Sequence, residues 1–289
     1  MAQPEPLPHL RIVGTRDDMR SIEPDKLNQL AQRSGEFQNA IPFPQIVFDD
    51  FLKREAAEEI LREFSIPADK AVYYHHYNNH SVGLCKTAEM GPATRALFED
   101  LQRPEFLSFL EKLTGIRGLV YDPQLDGAGL HDTRRGGYLN MHVDFLAHTM
   151  HKHWSRQLNL LIFLNKDWKE EYNGFLEFWD MKAKKRHQKI KPAFNRCVLF
   201  RTTRISFHGY PQPLECPPQM SRKSIACYYY RDENRLCSLE PTYYQSLPTD
   251  SAWKKSMIAL DRFALRVYSG LKRYHIVSDR LISRIGKFF

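Results

Sequence analysis

Long apolar runs are missing from this 289-residue sequence. A membrane-spanning helix needs about 18 consecutive apolar residues, and no segment comes close, so an integral membrane protein is not expected. The first ten residues hold three prolines and lack the basic stretch followed by an apolar one that marks a secretory signal peptide. Export by that route is therefore not expected.

Cysteine is also scarce. The five cysteines are widely spaced and form no Cys-x-x-Cys pair, which argues against a disulfide framework and against a zinc–thiolate site. A reducing compartment suits such a chain. We predict a cytoplasmic protein that could also associate peripherally with a membrane.

Positive charge is unevenly distributed. The formal net charge is +8, and residues 251–289 hold nine Lys or Arg against two Asp, which is +7 of that total. An anionic membrane surface or an acidic partner would suit this basic extension. Nucleic acid ranks last, because no nucleic-acid-binding motif accompanies the charge. By default, we expect the apolar stripe of the extension to pack on the body of the protein.

The order of patterns predicts an α+β protein. Helical spacing or opening prolines predict helices over about 24–33, 53–64, 92–102, 104–113 and 253–274, with Asp49 or Asp50 capping the second. Seven or eight short strands fall between 118 and 231 without helical crossovers, which favours a sandwich or a rolled barrel. The predicted units are an arm (1–40), a strand with helices (41–116), a catalytic β-domain (117–232) and a basic helical extension (233–289).

A single strand carries the first chemical signal. Residues 138–145 alternate, so that Tyr138, Asn140, His142 and Asp144 share one face. His142 and Asp144 at i and i+2 can occupy adjacent corners of an octahedral ion. His208, at the end of another predicted strand, is the candidate third ligand. Two His and one carboxylate with open positions opposite are typical of non-haem Fe(II) oxygenases.

The segment after His208 supplies a candidate anchor for an organic acid. Alternation puts Arg222 and Ser224 on one face of a strand and Lys223 on the other. A guanidinium can hold a carboxylate with two hydrogen bonds, and a hydroxyl two residues on can add a third.

Together these motifs resemble the Fe(II)- and 2-oxoglutarate-dependent dioxygenases, in particular the prolyl-4-hydroxylase-like branch. The runs 160–168 and 173–179 also resemble that branch, and the similarity spans about 125–232. The resemblance implies a double-stranded β-helix (jelly roll) core, with an N-terminal helical layer and the C-terminal extension added to it. It also implies that His142, Asp144 and His208 bind Fe(II) and that Arg222 holds the distal carboxylate of 2-oxoglutarate.

The implied activity is hydroxylation of an unactivated C–H bond. O2 and 2-oxoglutarate are the co-substrates, succinate and CO2 the by-products, and ascorbate is an additional candidate cofactor. The sequence leaves the substrate open among a peptidyl proline, a small metabolite or natural product, and a sugar or lipid precursor.

The sequence departs from the family pattern in three places. Phe163 stands where a hydroxyl-bearing aromatic often contacts the co-substrate, and Tyr138 and Asn159 are the candidate replacements. Fourteen residues separate His208 from Arg222, against roughly ten in the family. Asn173-Gly174 replaces a Gly-Gly pair, which is tolerable because Asn also adopts positive φ.

Several other features have structural interpretations beside the functional ones. His148, His151 and His153 are interpreted as surface residues rather than a second metal site. His131 is a weaker candidate for lining the cavity, and the histidines and tyrosines of 73–80 form either a substrate lid or a structural loop. The rival function is a cupin-like barrel acting as an isomerase or as a sugar-binding or regulatory module, without 2-oxoglutarate.

Overall fold

The computed structural model describes residues 19–182, 184–238 and 240–273. The residues ahead of position 117 form five α-helices and three strands. The helices are α1 (Pro24–Ala31), α2 (Ser34–Asn39), α3 (Arg54–Glu63), α4 (Pro92–Leu101) and α5 (Pro104–Thr114). Proline occupies the first turn of α1, α4 and α5, where its missing N–H costs no hydrogen bond.

The helix boundaries confirm most of the predicted ones. Gly115 ends α5 in the left-handed region, with φ of 75°. The predicted cap of α3 is wrong, because Lys53 occupies that position. Asp49 instead receives hydrogen bonds from Arg196, and Asp50 lies in a turn with φ of 49°.

Within the described part of the chain, thirteen strands form one antiparallel sheet. In chain order they are β1 (Gln45–Phe48), β2 (Val72–His76), β3 (Asn79–Leu84), β4 (Leu119–Tyr121), β5 (Gly129–Arg134), β6 (Leu139–Val143), β7 (Trp154–Phe163), β8 (Leu176–Asp180), β9 (Lys185–Ile190), β10 (Arg196–Arg201), β11 (Phe207–Tyr210), β12 (Ser221–Asp232) and β13 (Tyr243–Tyr244). The main path is β1-β10-β7-β12-β5-β3-β6-β11-β8-β9, with β13 beside β6. Strands β2, β3, β5 and β13 were not among the predicted ones.

The sheet curls until its two halves face each other. Strands β10 and β8 are near opposite ends of the path, yet the rings of Phe200 and Phe178 lie 5.2 Å apart. Phe163, Phe178 and Phe200 belong to one buried cluster inside the roll. This arrangement is the predicted jelly roll, and it leaves an interior that polar side chains of β6, β11 and β12 share.

The N-terminal helices cover the outer face of one half of the sheet. The ring of Phe106 in α5 lies 6.1 Å from Tyr229 of β12, and Phe109 lies 6.5 Å from Phe48 of β1. The resulting core includes most buried residues ahead of position 117. The predicted helical layer is therefore present.

The C-terminal segment covers part of the other half. Leu247 packs with Met141, Val143 and Phe207 on the outer side of β6 and β11. Helix α6 (Ala252–Arg273) follows, and Ile258 is its buried residue. No helix within the described residues combines the length and apolar character needed to cross a bilayer.

Candidate active site

Neighbouring strands bring the three predicted metal ligands together. His142 of β6 and His208 of β11 are register partners, and their ring centroids are 4.3 Å apart. Asp144 follows β6, and its two carboxylate oxygens each lie 3.4 Å from a histidine Nε2. One potential ligand atom from each residue falls within 4.8 Å of the others. This is the only such group in 19–182, 184–238 and 240–273.

Backbone carbonyls orient both imidazoles. His142 Nδ1 lies 2.9 Å from the carbonyl oxygen of Asn140, and His208 Nδ1 lies 2.9 Å from that of Ser206. A carbonyl accepts only, so Nδ1 carries the proton and Nε2 presents its lone pair to the shared space. Burial, with His142 close by, lowers the pKa of His208 to about 4, which keeps it neutral. Two imidazoles and a carboxylate fit a ferrous ion.

The carboxylate of Asp144 is held by a buried network. Burial alone would raise its pKa, but the charge of Arg156 outweighs that effect and holds the pKa well below its usual range. Arg156 Nη2 lies 3.2 Å from Asp144 Oδ2, and the Asn159 amide donates to the same oxygen. Arg156 Nε in turn donates to Asn159 Oδ1 over 2.8 Å. The predicted co-substrate residue Asn159 thus contacts the metal carboxylate.

Arg222 is buried without a counter-ion. It is 4% exposed, its Nε donates to the carbonyl of Gly174 over 2.7 Å, and its guanidinium lies over the rings of Tyr210 (4.1 Å) and Phe163 (4.8 Å). Burial lowers its pKa, and among the described residues no ion pair includes it. An unbalanced buried cation is costly unless a ligand neutralises it. A dicarboxylate such as 2-oxoglutarate meets that need.

The other predicted co-substrate residues differ in position. Ser224 is buried on the same strand as Arg222, whereas Lys223 points away and donates to Ser221 Oγ. The hydroxyl of Tyr138 donates to the carbonyl of Tyr77 over 3.0 Å. Direct contact of Ser224, Tyr138 or Asn159 with the co-substrate stays a prediction.

His131 is the better-placed polar group. It is the register partner of Ser224, and its Nε2 is buried without a hydrogen-bond partner. Burial lowers its pKa to about 4, and the charges of Arg222 and Asp144 both influence it. His131 therefore lies in the same interior as Arg222 and Asp144.

The His148–His153 segment holds no metal cluster within the described residues. His148 is fully buried, in contrast to the predicted surface position. Its Nε2 lies 3.1 Å from Asp122, and its Nδ1 accepts the backbone N–H groups of Met150 and His151. This histidine is a structural residue.

Comparison with known proteins finds a family match for part of the chain. Residues 128–230 match the family model of the 2OG-Fe(II) oxygenase superfamily. The matched stretch is the strand-rich core. The oxygenase is accordingly an oxidoreductase whose metal and co-substrate are Fe(II) and 2-oxoglutarate, as predicted. The match disfavours the cupin-like alternative. No curated protein matches the sequence significantly.

Solved structures of prolyl hydroxylases are similar to the oxygenase. One from Trichoplax adhaerens, in complex with a hypoxia inducible factor oxygen degradation domain peptide fragment, has a TM-score of 0.49 and 17% identity over 73% of this chain and 94% of its own. A prolyl 4-hydroxylase from Phytophthora capsici has the same score and identity over 90% and 79%. One from Pseudomonas putida scores 0.49 with 14% identity over 70% and 99%.

Two groups of site residues were missed by sequence reasoning. Arg156 stands in a strand that is otherwise mostly apolar and buried, and that isolation was the available signal. Asp261 of α6 accepts a hydrogen bond from Asn78 over 2.6 Å, and Asn78 Oδ1 accepts one from Asn140 over 3.1 Å. The carbonyl that orients His142 is that of Asn140. No local pattern signals a connection across nearly 200 residues.

Proposed function

We propose that the oxygenase is a prolyl-4-hydroxylase-like hydroxylase that inserts oxygen into an unactivated C–H bond. The observation that carries the proposal is the buried, unpaired guanidinium of Arg222 in the same interior as His142, Asp144 and His208. An enzyme of this class needs a metal position and a separate carboxylate anchor. The arrangement of these four residues supports both roles.

The three ligands would hold Fe(II) through two Nε2 atoms and the Asp144 carboxylate. Bound iron and 2-oxoglutarate supply the oxidation: O2 is consumed, 2-oxoglutarate becomes succinate and CO2, and one oxygen atom enters the substrate as hydroxyl. The chain's own part is to fix the ligands. Arg156 and Asn159 restrain Asp144, and the backbone carbonyls restrain both imidazoles.

Arg222 would neutralise the distal carboxylate of 2-oxoglutarate. Phe163 beneath the guanidinium offers no hydroxyl. His131 would supply a hydrogen bond instead, because its Nε2 is buried and has no hydrogen-bond partner among the described residues. Ser224, two residues from Arg222 on the same face, is the second candidate donor.

A cavity next to the metal end of the site is rich in arginine. It has a volume of about 350 Å³ and is lined by Arg156, Arg204, Arg231 and Arg235, with Arg204 and Arg231 paired to Glu240 and Glu233. Arg156 lies between this cavity and Asp144, and its Nη1 is buried without a partner. The unpartnered Arg156 Nη1 favours a substrate with an anionic or carbonyl group near the reacting carbon, whether peptide, metabolite or lipid precursor.

The test compares Arg222→Ala with Lys223→Ala, its neighbour on the opposite face. With Fe(II), O2 and 2-oxoglutarate, the wild type should form succinate. Arg222→Ala should raise the KM for 2-oxoglutarate about thirtyfold or more, since truncating one partner of a buried charge pair costs about 2–5 kcal/mol. Lys223→Ala should match wild type. Absence of succinate from the wild type, or an Arg222→Ala enzyme with wild-type KM, would contradict the proposal.

A further inference from the structure

The outer face of α6 is apolar and uncovered. Nine large apolar side chains are exposed among the described residues, and five of them lie on this one helix: Trp253, Leu260, Phe263, Val267 and Leu271. Trp253 is 72% exposed and Phe263 is 66% exposed. The expectation that the stripe packs on the body of the protein is wrong. A concentration of this kind on one helix marks an interaction surface.

The opposite side of α6 packs against the body of the protein. Ile258 is buried, and Arg262 donates to the carbonyl of Tyr244 over 3.0 Å. Asp261 contacts His76 over 2.8 Å and Asn78 over 2.6 Å. These contacts fix which face points outward. The exposed apolar stripe is therefore a property of the docked helix.

The helix is strongly basic. Residues 252–273 contain six Lys or Arg against Asp261, a net charge of +5. Arg266 follows Phe263 by one turn and is its surface neighbour, and Lys255 lies on the same side of the helix three turns earlier. The remaining sequence, 274–289, adds three Arg or Lys against one Asp. A second copy of this chain is a poor occupant, because the two basic faces would repel each other.

We propose that α6 binds an anionic lipid bilayer. Bulky apolar residues on one face with Lys and Arg beside them are the features of a helix that lies in the membrane interface. The face is that of a single convex helix. To bind a bilayer, this face needs apolar area and cations but no complementary groove. To bind an acidic protein, it would need a surface of complementary shape. The cations contribute by attraction to the anionic headgroups.

Flotation of the full-length protein with vesicles tests this. Phosphatidylcholine vesicles containing about one-third phosphatidylglycerol should carry the protein, and pure phosphatidylcholine vesicles should carry far less. Lys255→Ala/Arg266→Ala should weaken binding to the anionic vesicles about thirtyfold, since each cation near the surface is worth about fivefold. Leu260→Ser/Phe263→Ser should weaken it about a hundredfold.

Ile41→Ser/Ile205→Ser is the matched control. Both isoleucines are exposed, at 66% and 63%, and lie off the helix. This variant should bind vesicles as the wild type does. Tryptophan fluorescence provides a second readout, which needs no substitution in the wild type. Emission should shift to the blue on anionic vesicles, because Trp253 enters the membrane interface. The shift should be absent from Trp253→Phe.

Three results would overturn the proposal. One is equal binding to neutral and anionic vesicles, or none to either. Another is a dimer that Leu260→Ser/Phe263→Ser dissociates, without vesicle binding, which would assign the face to a second copy. The third is tight binding to soluble poly-glutamate with no vesicle binding, which would assign it to an acidic protein.

Discussion

The two ends of the oxygenase interior balance their charges differently. At the metal end, Asp144 pairs with Arg156 and accepts a hydrogen bond from Asn159, so the carboxylate is compensated before any ion binds. At the co-substrate end, Arg222 contacts a carbonyl and two aromatic rings, and no ion pair among the described residues includes it. The metal end is therefore assembled by the chain itself, whereas the other end is completed by its ligand.

The largest expected effect is at the metal end. Asp144→Ala removes one ligand and leaves the buried Arg156 without its carboxylate, so metal affinity and succinate formation should each fall more than about a hundredfold. Metal titration and a succinate assay check this. The control is Asp122→Asn, in the separate buried pair with His148. It should leave turnover per folded molecule unchanged. Wild-type turnover in Asp144→Ala would refute the ligand assignment.

At the co-substrate end we expect a substitution to stabilise the ligand-free protein. Arg222→Met removes a buried cation that lacks a counter-ion, so the ligand-free protein should gain about 2 kcal/mol in the free energy of unfolding. In the wild type, 2-oxoglutarate should raise Tm, and in Arg222→Met it should not. Urea unfolding and thermal melts measure both. A destabilised Arg222→Met protein would mean that the guanidinium is balanced within the fold.

A smaller effect concerns pH. His131 is held neutral by burial, with a pKa of about 4 in the folded protein against about 6.5 when unfolded. Between these values the unfolded chain binds more protons, so stability is lost as pH falls from 6.5 toward 4. From pH 7 to 5.5 the loss attributable to His131 should be about 1 kcal/mol. Over this pH range the urea midpoint of the wild type should fall further than that of His131→Gln. Identical pH slopes would place His131 in contact with solvent.

The predictable part of the site followed from local periodicity. Alternation along 138–145 and 221–226 fixed which side chains share a face, and that face proved to be the interior. The burial pattern of α6 was not predictable, because an apolar stripe does not say which side the body will hold. Polar buried contacts decided that, and they join residues far apart in sequence.

Contacts between residues far apart in sequence also explain why β2 and β3 were not predicted. Strands β2 and β3 carry histidines and tyrosines rather than an alternating apolar pattern, yet they pair with each other and β3 with β5. Their stability comes from partners in the sheet, not from their own composition. Asn159 was expected at the co-substrate; its amide donates to Asp144, and its Oδ1 accepts from Arg156, a contact that no local sequence pattern indicates.

The link between α6 and β6 has a practical consequence for the design of a minimal enzyme. The family similarity stops at residue 230, but the imidazole of His142 packs 5.2 Å from Tyr244 and takes its orientation from a backbone tied to Asp261. A fragment that ends with the family similarity would lose residues that pack against His142, a proposed iron ligand. We expect the catalytic unit to extend at least to position 261.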